Sequence, residues 1–223
     1  MRGVRGILMT ALLCVLASAA RAEDPAATSL SPAEYPELSA KWRAVQRAMS
    51  DDEARLAACR AEPWMCAADE LRLEAIAAAG RTRDGRARIG EINRAVNLAI
   101  RPVSDERRFG VADRWSGPLE TIGAGAGDCE DYAILKLLAL QEAGTTRDDL
   151  RLVIVHDRTT RSGHAVAAAR LDGRWLLLDN RFLALVDLEQ THYRVVAQLG
   201  PDADGPHYAA IGAADADTSP DVM

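Results

Sequence analysis

The chain is predicted to fold as an α+β domain, helices first and an antiparallel sheet after them, and three observations carry that prediction. Apolar residues recur at helical spacing in the N-terminal part: Leu38, Trp42, Val45 and Met49, then Ile89, Ile92, Val96 and Ile100. A glycine-rich run, 123–127, leads into a further helix that opens on a cysteine. After that helix the apolar period becomes that of strands. Helices followed by consecutive strands segregate into layers, which places the cysteine-bearing helix against the sheet.

Taken in order, residues 1–22 have the pattern of a cleaved secretory signal: Arg2 and Arg5, an apolar run from Ile7 to Ala17, and Ala20-Arg21-Ala22 as a small-x-small site before Glu23. The run is short for a membrane span, and Leu13 before Cys14 is a poor lipoprotein match, so the mature chain is expected to be periplasmic without membrane insertion. Loss of three arginines takes the formal charge from −6 to −9, which argues against a nucleic-acid partner. Residues 23–200 are expected to form one domain, with a core of Leu, Ile, Val and Ala given that only 4% of residues are aromatic.

A first helix is expected after Pro36, one or two more over about residues 53–79 with a break at Pro63, and another ended by Pro102. Asn93 and Asn97 flank the apolar stripe of that last helix and read as buried amides bonding nearby backbone rather than as catalytic groups. The cysteine helix runs through Ile134, Leu137, Leu138 and Leu140 to a stop at Gly144. Strands are expected at 152–155, 164–171, 174–179 and 183–186, with a further one at 193–197. Residues 201–223 are acidic, lack an apolar period, and are expected to be a mobile tail.

The chemistry centres on Gly127-Asp128-Cys129-Glu130-Asp131-Tyr132-Ala133. A thiol at a helix N-terminus is favoured as thiolate by unpaired N–H groups and the dipole, although a buried structural cysteine is the ordinary alternative. Asp172-Gly173 is a strong two-residue hairpin signal. It sets Leu171 opposite Arg174 and, running back, Val166 opposite Asp179, which leaves His164 on the same face and diagonal to Asp179. A base beside an orienting carboxylate, with a thiol to activate, is the logic of a Cys129-His164-Asp179 triad.

Three cysteines remain after signal removal. Cys59 and Cys66 are disulfide candidates in an oxidising compartment, or else small buried residues, and a disulfide there leaves Cys129 as the odd thiol. The Cys129 N–H is one oxyanion donor; Trp115, whose indole only donates, is a candidate for the second, with ordinary core packing as the alternative.

The segments Asp113 to Glu120, Gly127 to Lys136, Gly163-His164-Ala165-Val166 and Leu178-Asp179-Asn180 together resemble the bacterial transglutaminase-like cysteine proteinases, whose known members include LapG-type periplasmic proteases. The similarity spans roughly residues 40–200. It implies a papain-like, transglutaminase-like core, a thioester mechanism, and cleavage of a large surface adhesin near its N-terminus. It also implies calcium dependence, carried by Asp128, Glu130 and Asp131, and an inner-membrane receptor that sequesters the protease. Physically, three carboxylates should raise the pKa of Cys129, so something must neutralise them. A hard cation with oxygen ligands would do so; pairing with arginines or capping the helix are the alternatives. Trp64 is a candidate receptor contact or a core residue. Two other functions stay open: a transglutaminase or amidase using the same thioester, and a non-catalytic exported binding module.

Overall fold

The computed structural model describes residues 35–200. The expected signal segment and acidic tail lie outside the described residues. Helix α1 spans Pro36–Ala61, α2 Ala68–Arg81 and α3 Gly85–Ala99. Leu38, Trp42, Val45, Leu56 and Cys59 form the buried stripe of α1. That stripe continues past Met49 without interruption, so no new helix starts near residue 53; the break comes at Pro63, within a 3₁₀ turn, Pro63–Met65. The Cys59–Cys66 disulfide closes this turn across a Cα–Cα distance of 4.7 Å.

Residues 123–127, expected as a loop, divide between two elements. Pro118–Ala124 is helix α5, preceded by the one-turn helix α4, Asp105–Phe109. Ala126–Gly127 forms a short strand, β2, parallel to β1, Arg101–Pro102. Two features made α5 helical where the glycines suggested otherwise: the buried pair Leu119 and Ile122, and a cap delivered from α1. Asp52 Oδ2 accepts the Leu119 N–H at 2.8 Å, satisfying a donor of the first turn that the N-terminal Gly117 has no side chain to meet.

Helix α6, Cys129–Glu142, is the centre of the domain, and every residue from Glu130 to Leu140 is buried. Hydrophobic on nearly all sides, it packs between the helices and the sheet. The sheet has strands β3 (Leu150–Asp157), β4 (Ser162–Leu171), β5 (Arg174–Leu178), β6 (Val186–Asp187) and β7 (Tyr193–Leu199), in the order β6-β5-β4-β3-β7, all antiparallel. Alternation along β4 sends Ala165, Ala167 and Ala169 into the main core and Val166 and Ala168 into a second cluster on the other face. The strand expected at 183–186 shrinks to Val186–Asp187, because the preceding residues form an irregular segment held from α3. No described helix is long and apolar enough to cross a membrane.

Asp52→Ala removes the cap of α5 and leaves the Leu119 N–H unpaired in a buried place. It is expected to cost about 1–2 kcal/mol, read as a lower midpoint in urea with an unchanged slope.

Candidate active site

The hairpin holds the register anticipated from Asp172-Gly173. Both turn residues have positive φ, 51° and 78°, as a type I′ turn requires. Leu171 faces Arg174, and pairing continues to Ala167 opposite Leu178. Asp179 follows β5 directly, and His164 Nε2 meets Asp179 Oδ1 at 3.0 Å, both side chains buried.

Asp179 is more heavily bonded than the sequence suggested. Its Oδ2 accepts the Tyr193 hydroxyl at 2.6 Å, and Oδ1 also accepts the Arg181 N–H at 2.9 Å. Burial pushes the Asp179 pKa up, but these bonds and the imidazole outweigh it and hold the carboxyl below its ordinary value. The Tyr193 ring stands edge-on to His164 at 5.8 Å. Nothing local in the sequence marked Tyr193; it arrives by the antiparallel pairing of β7 with β3, next to β4.

The backbone carrying Asp179 is fixed from both helices beneath it. Asn97 Nδ2 donates to Asp179 O and Phe182 O, each at 2.9 Å, and Asn93 Nδ2 donates to Phe182 O and Leu183 O at 3.0 and 3.1 Å. From α6, Lys136 Nζ donates to Leu178 O at 3.1 Å. Burial holds the Lys136 ammonium down to about 7, with Asp179 pulling the other way.

Cys129 is the first residue of α6 and half-buried, and its thiol contacts the Ala165 N–H, one residue from His164. It also donates to Glu130 Oε2 at 3.2 Å. Burial first, then the Glu130 carboxylate, push the thiol pKa up, while the Ala165 N–H opposes them.

The acidic cluster is larger than the three residues that flank the cysteine. Asp128 is at the N-cap position yet makes no capping bond; its Oδ2 accepts the Asp105 N–H at 3.3 Å. Asp131 takes the arginine alternative: Oδ2 accepts from Arg108 Nη1 at 2.7 Å and Oδ1 from the Ser116 N–H at 2.9 Å. Asp105 and Asp113 complete the cluster. Carboxylate oxygens lie within 4.8 Å of one another in two sets, Asp105 with Asp113 and Glu130, and Asp105 with Asp128 and Asp131. Asp113 pairs with Lys41, and Asp105 accepts the Arg114 N–H. Among the described residues, Asp105 Oδ1, Asp113 Oδ1 and Asp128 Oδ1 are buried without a hydrogen-bond partner. Burial and then mutual repulsion raise the Glu130 pKa to about 9, and burial raises that of Asp131 to about 7. Converging, unpartnered, buried carboxylate oxygens are a donor set that suits a hard divalent cation. Gly127 is needed for this packing, since a Cβ there would stand 2.6 Å from Asp131 Cβ.

Trp115 packs against the main core, and its indole N–H is buried with no partner among the described residues. The adjacent Ser116 N–H is bonded to Asp131 in the first turn of α6. Trp64, by contrast, is 79% exposed, with Met65 at 70%, on the disulfide-closed turn.

A cysteine thus heads a buried helix that packs on an antiparallel sheet, and that sheet carries a buried His-Asp pair. The chain belongs to the bacterial transglutaminase-like cysteine proteinases, whose family profile matches residues 49–214. It is therefore a cysteine peptidase by family. Legionella pneumophila LapG shares the fold, with a TM-score of 0.57 and 21% identity over 71% of this chain and 87% of LapG. EGTA-treated LapG from the same organism gives 0.58 and 20% identity over 72% and 86%. No curated protein matches the chain.

The depressed Lys136 pKa has a thermodynamic signature. Between about 7, the folded value, and 10.5, the ordinary one, the unfolded chain binds more protons than the folded chain, so this group makes stability rise with pH. Thermal unfolding of wild type and Lys136→Met from about pH 6 to about pH 10 is expected to show wild type gaining on the variant as pH rises.

Proposed function

We propose that the protein is a periplasmic, calcium-dependent cysteine endopeptidase that cleaves a large cell-surface adhesin near its N-terminus, thereby controlling attachment and biofilm. The observation that carries this reading is the buried His164–Asp179 pair at 3.0 Å, one residue from the N–H that the Cys129 thiol contacts.

With Nε2 committed to Asp179, Nδ1 is the imidazole nitrogen left for the thiol. His164 takes the thiol proton as Cys129 Sγ attacks the scissile carbonyl carbon, then gives that proton to the leaving amine as the C–N bond breaks. The thioester is hydrolysed by water deprotonated by the same imidazole. Asp179 holds the ring and offsets its positive charge. The Cys129 N–H and the Trp115 indole are the two donors for the oxyanion.

Asp128, Glu130 and Asp131, joined by Asp105 and Asp113, would hold calcium. When bound, the ion supplies positive charge that offsets the carboxylates and eases ionisation of the neighbouring thiol. Arg108 pairs with Asp131 at 2.7 Å. Calcium and protons compete for Glu130, so binding should weaken as pH falls below about 9. Trp64, exposed on the disulfide-closed turn, is the aromatic anchor for a regulatory inner-membrane receptor.

The test is incubation of the mature protein with exported adhesins, with and without chelator, followed by N-terminal sequencing of the fragments. A single cut near the adhesin N-terminus supports the reading; incorporation of an added amine without hydrolysis would move the assignment to transglutaminase. Cys129→Ala is expected to stay folded and lose at least about a thousandfold in turnover, and Asp179→Asn a comparable amount. Chelation should lower both activity and melting temperature, with calcium restoring them better than magnesium, whose octahedral shell is stricter. Full activity in excess chelator, with no calcium uptake by calorimetry, would reduce the acids to a structural cluster.

A further inference from the structure

Lys136 is a buried ionisable group that the proposed chemistry leaves unused. It lies on α6 seven residues after Cys129, two helical turns along the same face. It has no exposed surface, and Leu178 O accepts its Nζ at 3.1 Å. Leu178 is the last residue of β5, and the next residue is Asp179. A methionine would fill similar space without the cost of burying an amine, so the lysine is poorly explained by packing alone. The other groups facing this end of β5 act on different atoms. Asn97 holds Asp179 O from α3, and Tyr193 and His164 bind the carboxylate itself. Among these bonds, Lys136 supplies the one that runs back to the helix bearing the nucleophile.

We infer that Lys136 is a positioning residue for the Cys129-His164-Asp179 set, tying the segment that carries the orienting carboxylate to the helix that carries the thiol. This inference rests on the reading of those three residues as the reacting set. Through this link α6 sets two ends of a three-residue line. Cys129 stands at its N-terminus, and the β5 end is drawn onto its second turn. A small displacement of Asp179 would turn the imidazole away from the thiol, and misplacements on the order of 1 Å cost about a hundredfold in rate.

The test reads the thiol directly and needs no substrate. In the mature protein with calcium present, the rate of Cys129 alkylation by iodoacetamide at neutral pH is measured for Lys136→Met and Lys136→Gln. Each is made alone and in an Asp179→Asn background, with folding followed by circular dichroism. The disulfide removes Cys59 and Cys66 from the reaction. Lys136→Met is expected to slow alkylation about tenfold or more. Lys136→Gln, which still offers an N–H toward the carbonyl, should recover part of the loss. In the Asp179→Asn background, Lys136→Met should add little, because a residue acting through Asp179 has nothing left to position. An unchanged rate in a folded lysine variant overturns the inference, as does equal slowing in both backgrounds, which would mark a general packing role. If Lys136→Met does not fold, Lys136→Gln is read through the same cycle. Asp179→Asn alone leaving the rate unchanged would instead sink the reading of the reacting set, and this inference with it.

Discussion

The constraint on which this structure turns is the burial of α6, unbroken from Glu130 to Leu140. A helix with no solvent face over eleven residues must find partners for its polar groups inside the protein, and this one begins with a thiol and two acids and carries a lysine in its middle. Each of those groups dictates something nearby. Asp131 recruits Arg108 and the Ser116 N–H, which pins the segment between α4 and α5 to the helix start. Gly127 must be glycine so that the chain entering α6 can pass against Asp131. Lys136 takes the last carbonyl of β5. The site is thus assembled by the demands of one buried helix on its surroundings.

Charge is distributed unevenly around that helix start. Five carboxylates from three stretches of chain meet there, with Arg108 and Lys41 bonded to two of them. Like charges in a low-dielectric place raise one another's pKa values, and they raise that of the thiol with them. The same carboxylates that raise the thiol pKa are oxygen donors of the kind that suits a hard divalent cation. At the other end of the line the balance is reversed. Asp179 collects donors from His164, Tyr193 and the Arg181 backbone, and these keep it ionised despite burial.

Much of this was legible in the sequence because it rests on local rules. The Asp172-Gly173 turn fixed a register by counting, and that register put His164 beside Asp179. The period change after Gly144 separated helices from sheet, and the place of Cys129 at the start of a helix followed from the apolar stripe behind it. Pro63 marked a real break. The glycine run misled for an equally local reason: glycine count weighs against helix, whereas α5 owes its first turn to Asp52 and its burial to Leu119 and Ile122.

What the sequence by itself determined, then, is the order of elements, the hairpin, the place of Cys129 at a helix start and the pairing of His164 with Asp179, because each is encoded within a few residues by turn chemistry or periodicity. Only the tertiary structure decided which distant groups join them. Asp105 and Asp113 come to the acidic cluster from before α5, and Arg108 to Asp131 from α4. Tyr193 comes from the far edge of the sheet, and Asn97 from α3. Trp64 was left in solvent and Trp115 packed with an unpaired N–H. These are contacts between segments far apart in the chain, and their partners are set by how layers pack, which no local pattern records.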